Sequence, residues 1–250
     1  MSIKLKTKEE LEIMAEGGAK LARVKDGLKD AVKAGVNAAE IEDLANKLIK
    51  KEGAEASFKR VKDYYWATCI NVNAGIVHGI PHKSIIFKEG DVVSVDVGVF
   101  YKGFHTDTSF TVGLGVSNEM DKFLRVGEET LNKAIKEAVT GNAVSDISRV
   151  IEASIEGAGY NVVRSLVGHG VGRDLHEAPS IPCFVDSSKK SCVLREGMVI
   201  AIEVMYTQGS PELQIEEDNW TISTRDGKIS ALYEETVALI GKGNRVLTRG

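Results

Sequence analysis

No stretch of this 250-residue sequence approaches the roughly 20 consecutive apolar residues a bilayer-crossing helix needs, so a membrane partner is not expected. The N-terminus, Met-Ser-Ile-Lys-Leu-Lys-Thr, lacks the apolar core of a secretion signal. Cysteine is scarce. Cys69, Cys183 and Cys192 form an odd set with no CxxC spacing, which argues against a disulfide framework or a zinc knuckle and points to a reducing cytoplasm. There is also no long basic block: the net charge of -4 arises from interspersed acids and bases, so no nucleic-acid partner is expected. With only four prolines and no Pro- or Ser-rich linker, the chain is read as one α+β domain spanning residues 1–250.

What is present is ordinary globular usage, 43% hydrophobic and 27% charged, in a helix, sheet, helix, sheet order. Thr7-Lys-Glu-Glu10 and Asn37-Ala-Ala-Glu40 have capping-box spacing, and apolar residues recur at helical intervals after each. Strand-like runs follow at 68–72, 91–100 and 105–112, then helical periodicity at 117–139 and 144–155. Strands are expected again at 161–166, 198–205, 220–223 and 231–240, suggesting two similar halves around one curved sheet.

In the run Asp91 to Phe100, Val93, Val95, Val97 and Val99 alternate with Ser94, Asp96 and Gly98, so Asp96 projects from a strand interior. If Tyr101-Lys102 is a two-residue hairpin loop, Asp96 lies opposite Asp107; a three-residue loop shifts that register by one. Facing carboxylates repel unless a cation neutralises them or they share a proton. On this segment alone, metal binding and a pair of exposed rim aspartates both remain open.

Glu203 interrupts the apolar run Met198 to Met205, which has the texture of a strand buried on both faces and leaves the carboxylate in need of a partner, either a metal or a Lys or Arg. Glu234 and Glu235 sit on opposite faces of their strand, and periodicity does not choose between them. The segment Gly168 to His176 surrounds His169 with glycines, as suits a ligand loop. It is not a dinucleotide fingerprint, because Arg173 occupies the third glycine position, and His176-Glu177 lacks the second histidine of HExxH. His78 falls in a Gly/Pro turn, where an imidazole serves as acid, base or donor.

The ordered set of His-Gly-Ile-Pro at 78–81, Asp-Val-Gly-Val and Gly-Phe-His-Thr-Asp within 96–107, Gly-His-Gly-Val-Gly-Arg-x-x-His-Glu-x-Pro at 168–179, Ala-Ile-Glu at 201–203 and Tyr-Glu-x-Thr at 233–236 closely resembles the type I methionine aminopeptidases. The resemblance extends from about Ile3 to about Leu247 and implies a pseudo-symmetric pita-bread fold with a dinuclear metal centre. By it, Asp96 would chelate one metal, His169 and Glu203 the other, and Asp107 and Glu234 would bridge both, which selects Glu234 over Glu235. His78 and His176 would contact the substrate amide and the tetrahedral intermediate, while Tyr64 and Cys69 would line the methionine pocket with Trp220 nearby. Four carboxylates and one imidazole suit Mn²⁺, Fe²⁺ or Co²⁺, with zinc a further candidate. Such ions activate a water, from which Glu203 would accept the proton. The implied substrates are N-terminal methionine peptides and newly made chains near the ribosome, and the implied state is a monomer.

Four positions depart from the family pattern: Val204 replaces a common Pro, Glu235 a His, Leu175 a Phe and Val61 a pocket Tyr. None is a ligand, and together they bear on pocket shape. Two alternatives accompany the resemblance, a proline-directed aminopeptidase of the same fold and a non-catalytic binding homologue.

Overall fold

A computed structural model of the chain describes residues 3–188 and 190–250. The first helix, α1 (Lys8–Ala31), opens on the expected capping box: the Thr7 hydroxyl accepts from the Glu10 N–H and the Glu10 carboxylate accepts from the Thr7 N–H. Gly35, at φ +88°, turns the chain, and Asn37 with Glu40 caps α2 (Ala38–Lys51) in the same way. Short β1 (Glu55–Ala56), then β2 (Thr68–Val72), β3 (Gly75–Val77), and the long hairpin β4 (Val92–Tyr101) and β5 (Phe104–Gly113) complete the first half.

The second half repeats the plan. Helices α3 (Asn118–Glu137) and α4 (Val144–Gly157) precede β6 (Asn161–Val162), β7 (Val167–Gly170), β8 (Glu177–Pro182) and β9 (Val199–Thr207). The chain then forms β10 (Leu213–Ile215), β11 (Ile222–Thr224), β12 (Ser230–Ile240) and β13 (Gly243–Val246). One sheet runs β1-β4-β5-β12-β9-β7-β8, with β2 on β4, β6 on β9 and β13 on β12; β10, β11 and β3 form a smaller sheet. Among the described residues these strands all pair antiparallel.

Period-two alternation divides the main sheet into a helix-packed face and a second face. Val93, Val95, Val97 and Val99 pack with Leu21, Leu28 and Ile41 of the first helix pair. Ile200, Ile202 and Val204 pack with Phe123, Leu131, Ile147 and Ile151 of the second pair. The residues between them therefore point the other way.

Three strand expectations change. The run at 161–166 is a strand only over its first two residues, which pair with Tyr206 and Thr207 before the chain leaves toward β7. The strand placed at 220–223 begins later, because the Asp218 carboxylate accepts from the Trp220 and Thr221 N–H groups and holds a turn there. Of the glycine-rich stretch Gly168 to His176, the first three residues, His169 among them, belong to β7, and the chain leaves the strand after Gly170. Its glycines permit tight strand packing: a Cβ on Gly168 would lie 2.6 Å from the Ala201 carbonyl oxygen, and one on Gly170 would collide with the Ala178 backbone.

Replacing Thr7 with Ala removes the side-chain half of the first capping box and should lower stability by about 1 kcal/mol. A urea midpoint unchanged from the parent's would contradict this account of how α1 begins.

Candidate active site

The hairpin carrying the two aspartates turns at Lys102-Gly103 rather than Tyr101-Lys102. Both turn residues have positive φ, +48° and +92°, as a two-residue turn matched to strand twist requires. Tyr101 therefore pairs with Phe104, Asp96 with Ser109 and Gly98 with Asp107, so the expected direct Asp96–Asp107 opposition is corrected to a diagonal one. Moving the loop by one residue moves the register by two, and an even shift leaves every side chain on its original face. The two carboxylates remain neighbours.

Strand pairing then extends that geometry into a transverse row. Cys69 pairs with Asp96, Asp96 with Ser109, Ser109 with Glu234, and Glu234 with Glu203. Asp107 is two residues from Ser109, and His169 pairs with Ala201, two residues from Glu203; both therefore share the row's face. Ligand-capable atoms of Asp107, His169 and Glu234 all lie within 4.8 Å of one another. The His169 Nε2 is 3.6 Å from Glu203 and 4.0 Å from Asp107.

Among the described residues, no Lys or Arg forms an ion pair with Asp96, Asp107, Glu203 or Glu234. Burial, reinforced by Asp96 and Glu203, drives the Asp107 carboxyl well above its ordinary range, and burial pushes Asp96 up to about 7. Glu203 and Glu234 are likewise raised, first by desolvation and then by neighbouring carboxylates. His169 is neutral, its pKa lowered to about 3, mainly by burial. Its Nδ1 lies 2.9 Å from the Gly170 carbonyl, an acceptor only, so Nδ1 carries the proton and the Nε2 lone pair faces the carboxylates. The buried Asp96 Oδ1 and Glu234 Oε1 have no hydrogen-bond partner. A neutral imidazole lone pair, four crowded carboxylates and orphaned oxygens match the donor set of a hard or borderline divalent cation.

Glu235 occupies the opposite face. It accepts from Lys25 Nζ at 2.8 Å and Arg249 Nε at 2.8 Å, as well as from the Thr248 and Thr108 hydroxyls. Strand alternation thus separates two adjacent glutamates into a paired one and an unpaired one.

An apolar recess adjoins the cluster. Tyr64, Cys69, Leu175 and Phe58 are buried there together, with Val61, Trp66 and Trp220 packed against them. The Tyr64 hydroxyl donates to the Thr68 carbonyl and lies 3.2 Å from the Cys69 sulfur; its ring meets Trp220 edge-on at 5.0 Å. His78 and His176 stand at the junction between recess and carboxylates. His78 adopts φ +60°, a conformation uncommon for a non-glycine residue, which aims its ring into the cleft. His176 is open to the cleft and stacks edge-on against His169 at 4.5 Å; surrounding protein still lowers its pKa, as burial does for His78.

All ten residues singled out from the sequence, Asp96, Asp107, His169, Glu203 and Glu234 with His78, His176, Tyr64, Cys69 and Trp220, therefore border one cleft. Phe58 and Val77 border it as well. Neither carried a chemical signal in the sequence, since an apolar side chain in a short turn or strand looks like core until the cleft is formed.

The model of metallopeptidase family M24 matches residues 12–239 of this chain. The chain belongs to family M24. It is 41% identical to a methionine aminopeptidase of Bacillus subtilis over 98% of both sequences. A crystal structure of a methionine aminopeptidase from Thermotoga maritima superposes with a TM-score of 0.96, at 38% identity and with both chains fully covered. The prolidase of Pyrococcus furiosus shares the fold alone, at 23% identity and a TM-score of 0.75, with 98% of this chain covering 65% of that one. The fold is the pita-bread arrangement that these M24 structures share. Membership of a metallopeptidase family carries divalent-metal use with it, and the partnerless oxygens of the cleft fit that chemistry.

Raised carboxyl pKa values make a sign test available on chelator-treated protein. These acids are protonated in both states below about pH 4. Above that, the unfolded chain ionises first, so their contribution is lost as the pH climbs, that of Asp96 by about 7. Asp107→Asn should match the parent's thermal midpoint near pH 4 and exceed it increasingly toward pH 8. A variant less stable than the parent at the alkaline end would contradict a buried, uncompensated cluster.

Proposed function

We propose that this chain removes the N-terminal methionine from polypeptides, preferring a small second residue. The observation that carries the reading is the junction of an apolar recess with a carboxylate–imidazole cluster, which would hold a methionine side chain on one side and present its carbonyl carbon to the cluster on the other.

Asp96, Asp107, His169, Glu203 and Glu234 would hold two divalent cations. Oxygen-rich donors favour Mn²⁺, Fe²⁺ or Co²⁺ over zinc. When bound, such ions supply a water acidic enough to ionise near neutral pH and Lewis-acid polarisation of a carbonyl. The chain's residues supply the rest. Glu203, the member of the cluster 3.6 Å from His169 Nε2, would take up a proton from the attacking water. His78 and His176, whose imidazoles the surrounding protein biases away from the charged form, would donate hydrogen bonds to the peptide amide and to the developing oxyanion. Tyr64, Cys69 and Trp220 enclose the methionine side chain, and the carboxylates attract the free α-amine, which restricts cleavage to an N-terminus.

Newly made chains supply the substrates, so a transient ribosome contact and a cytoplasmic, monomeric enzyme complete the reading. The three free cysteines are consistent with a reducing compartment. Hydrolysis of Met-Ala-Ser and Ala-Pro-Ala by Mn²⁺-loaded protein tests the assignment. Met-Ala-Ser should be cleaved, with activity abolished by chelator and restored by Mn²⁺ or Co²⁺. Preference for Ala-Pro-Ala would overturn it in favour of a proline-directed enzyme, and absence of any cleavage would favour a binding homologue.

A further inference from the structure

Glu42 is the only charged residue on the buried face of α2, and among the described residues its ion pair is a long one, to Lys59 Nζ at 3.9 Å. Its carboxylate is instead filled by donors from the segment that enters β2. One oxygen accepts from the Ala67 N–H at 2.8 Å and Asn46 Nδ2 at 2.6 Å. The other accepts from the Thr68 N–H at 3.0 Å and the Thr68 hydroxyl at 2.8 Å. Charge-assisted bonds of this kind are about twice as strong as neutral ones, and two of them grip consecutive backbone amides.

That grip falls where the recess meets the carboxylate row. The Thr68 carbonyl receives the Tyr64 hydroxyl, and the next residue, Cys69, pairs with Asp96 across β2 and β4. Trp66 immediately precedes the clamped amides, and its ring meets Tyr64 at 5.3 Å. A shift of the 67–68 backbone therefore displaces Tyr64, Trp66 and Cys69 together, while Asp107, His169, Glu203 and Glu234 are held by other strands.

We propose that Glu42 is a positioning residue for the methionine recess: through the Ala67 and Thr68 amides it sets the recess wall against the reacting end of the cleft and so governs side-chain binding rather than bond breaking. The inference rests on the methionine aminopeptidase reading. The structure also supplies a probe independent of turnover, because the chain's two tryptophans, Trp66 and Trp220, both pack on Tyr64.

The test compares the full-length parent with Glu42→Gln, Glu42→Asp and the exposed control Asp43→Asn, reading tryptophan emission, Mn²⁺ affinity by calorimetry, and kcat and KM on Met-Ala-Ser. Glu42→Gln sets an amide NH2 against backbone donors and should shift the emission and raise KM about tenfold, the loss of roughly one charge-assisted bond. Its kcat and Mn²⁺ affinity should stay near the parent's. Glu42→Asp, which keeps the charge, should recover part of the KM loss, and Asp43→Asn should change nothing. Unchanged emission and KM in Glu42→Gln, or a fall in kcat with KM unmoved, would overturn the proposal. Shifted emission in Glu42→Gln alongside a parent that cleaves no Met-initiated peptide would uphold the clamp and sink the functional reading instead.

Discussion

Four carboxylates brought onto one face of a sheet, with no Lys or Arg paired to them among the described residues, are the constraint around which this chain is organised. The pairing Asp96–Ser109–Glu234–Glu203 sets a single line across β4, β5, β12 and β9, with Asp107 and His169 one pleat away. Each strand contributes valine, isoleucine or leucine to the helix-packed face, and that apolar burial holds acids together that would separate in water. The cleft is thus a region where apolar burial works against electrostatic repulsion.

The same alternation explains why neighbouring residues have unrelated fates. Glu235 points to the opposite face and is satisfied by Lys25, Arg249 and two threonines, whereas Glu234 keeps an oxygen without a partner. The distinction between a structural acid and a binding acid here is one of available donors, not of burial, since both are almost fully enclosed. Glu42 is a third solution, a buried carboxylate satisfied by backbone amides.

Much of this was legible in the residues. Valine alternation places Asp96 correctly, and both N-terminal capping boxes form as spaced. The hairpin turn was misplaced by one residue, because Lys102 adopting positive φ beside Gly103 is decided by turn geometry rather than by composition. The strand carrying His169 is hidden in the sequence because its glycines answer to close packing, Gly168 against β9 over thirty residues away and Gly170 against Ala178 of β8. Choosing Glu234 over Glu235 needed the family resemblance, since strand periodicity assigns opposite faces without saying which is the cleft. The Glu42 clamp left no pattern at all: an acid on a helix face reads as solvated until the fold brings Ala67 and Thr68 beneath it.

The most direct test of the uncompensated cluster is calorimetric titration of chelator-treated protein with Mn²⁺, counting ions per chain in the parent and in Glu234→Gln. Two ions should bind the parent, and the variant, which loses one of the four clustered carboxylates, should retain at most one with high affinity. A parent that binds no Mn²⁺, or a variant that binds as the parent does, would contradict the assignment of this row of carboxylates as a metal centre.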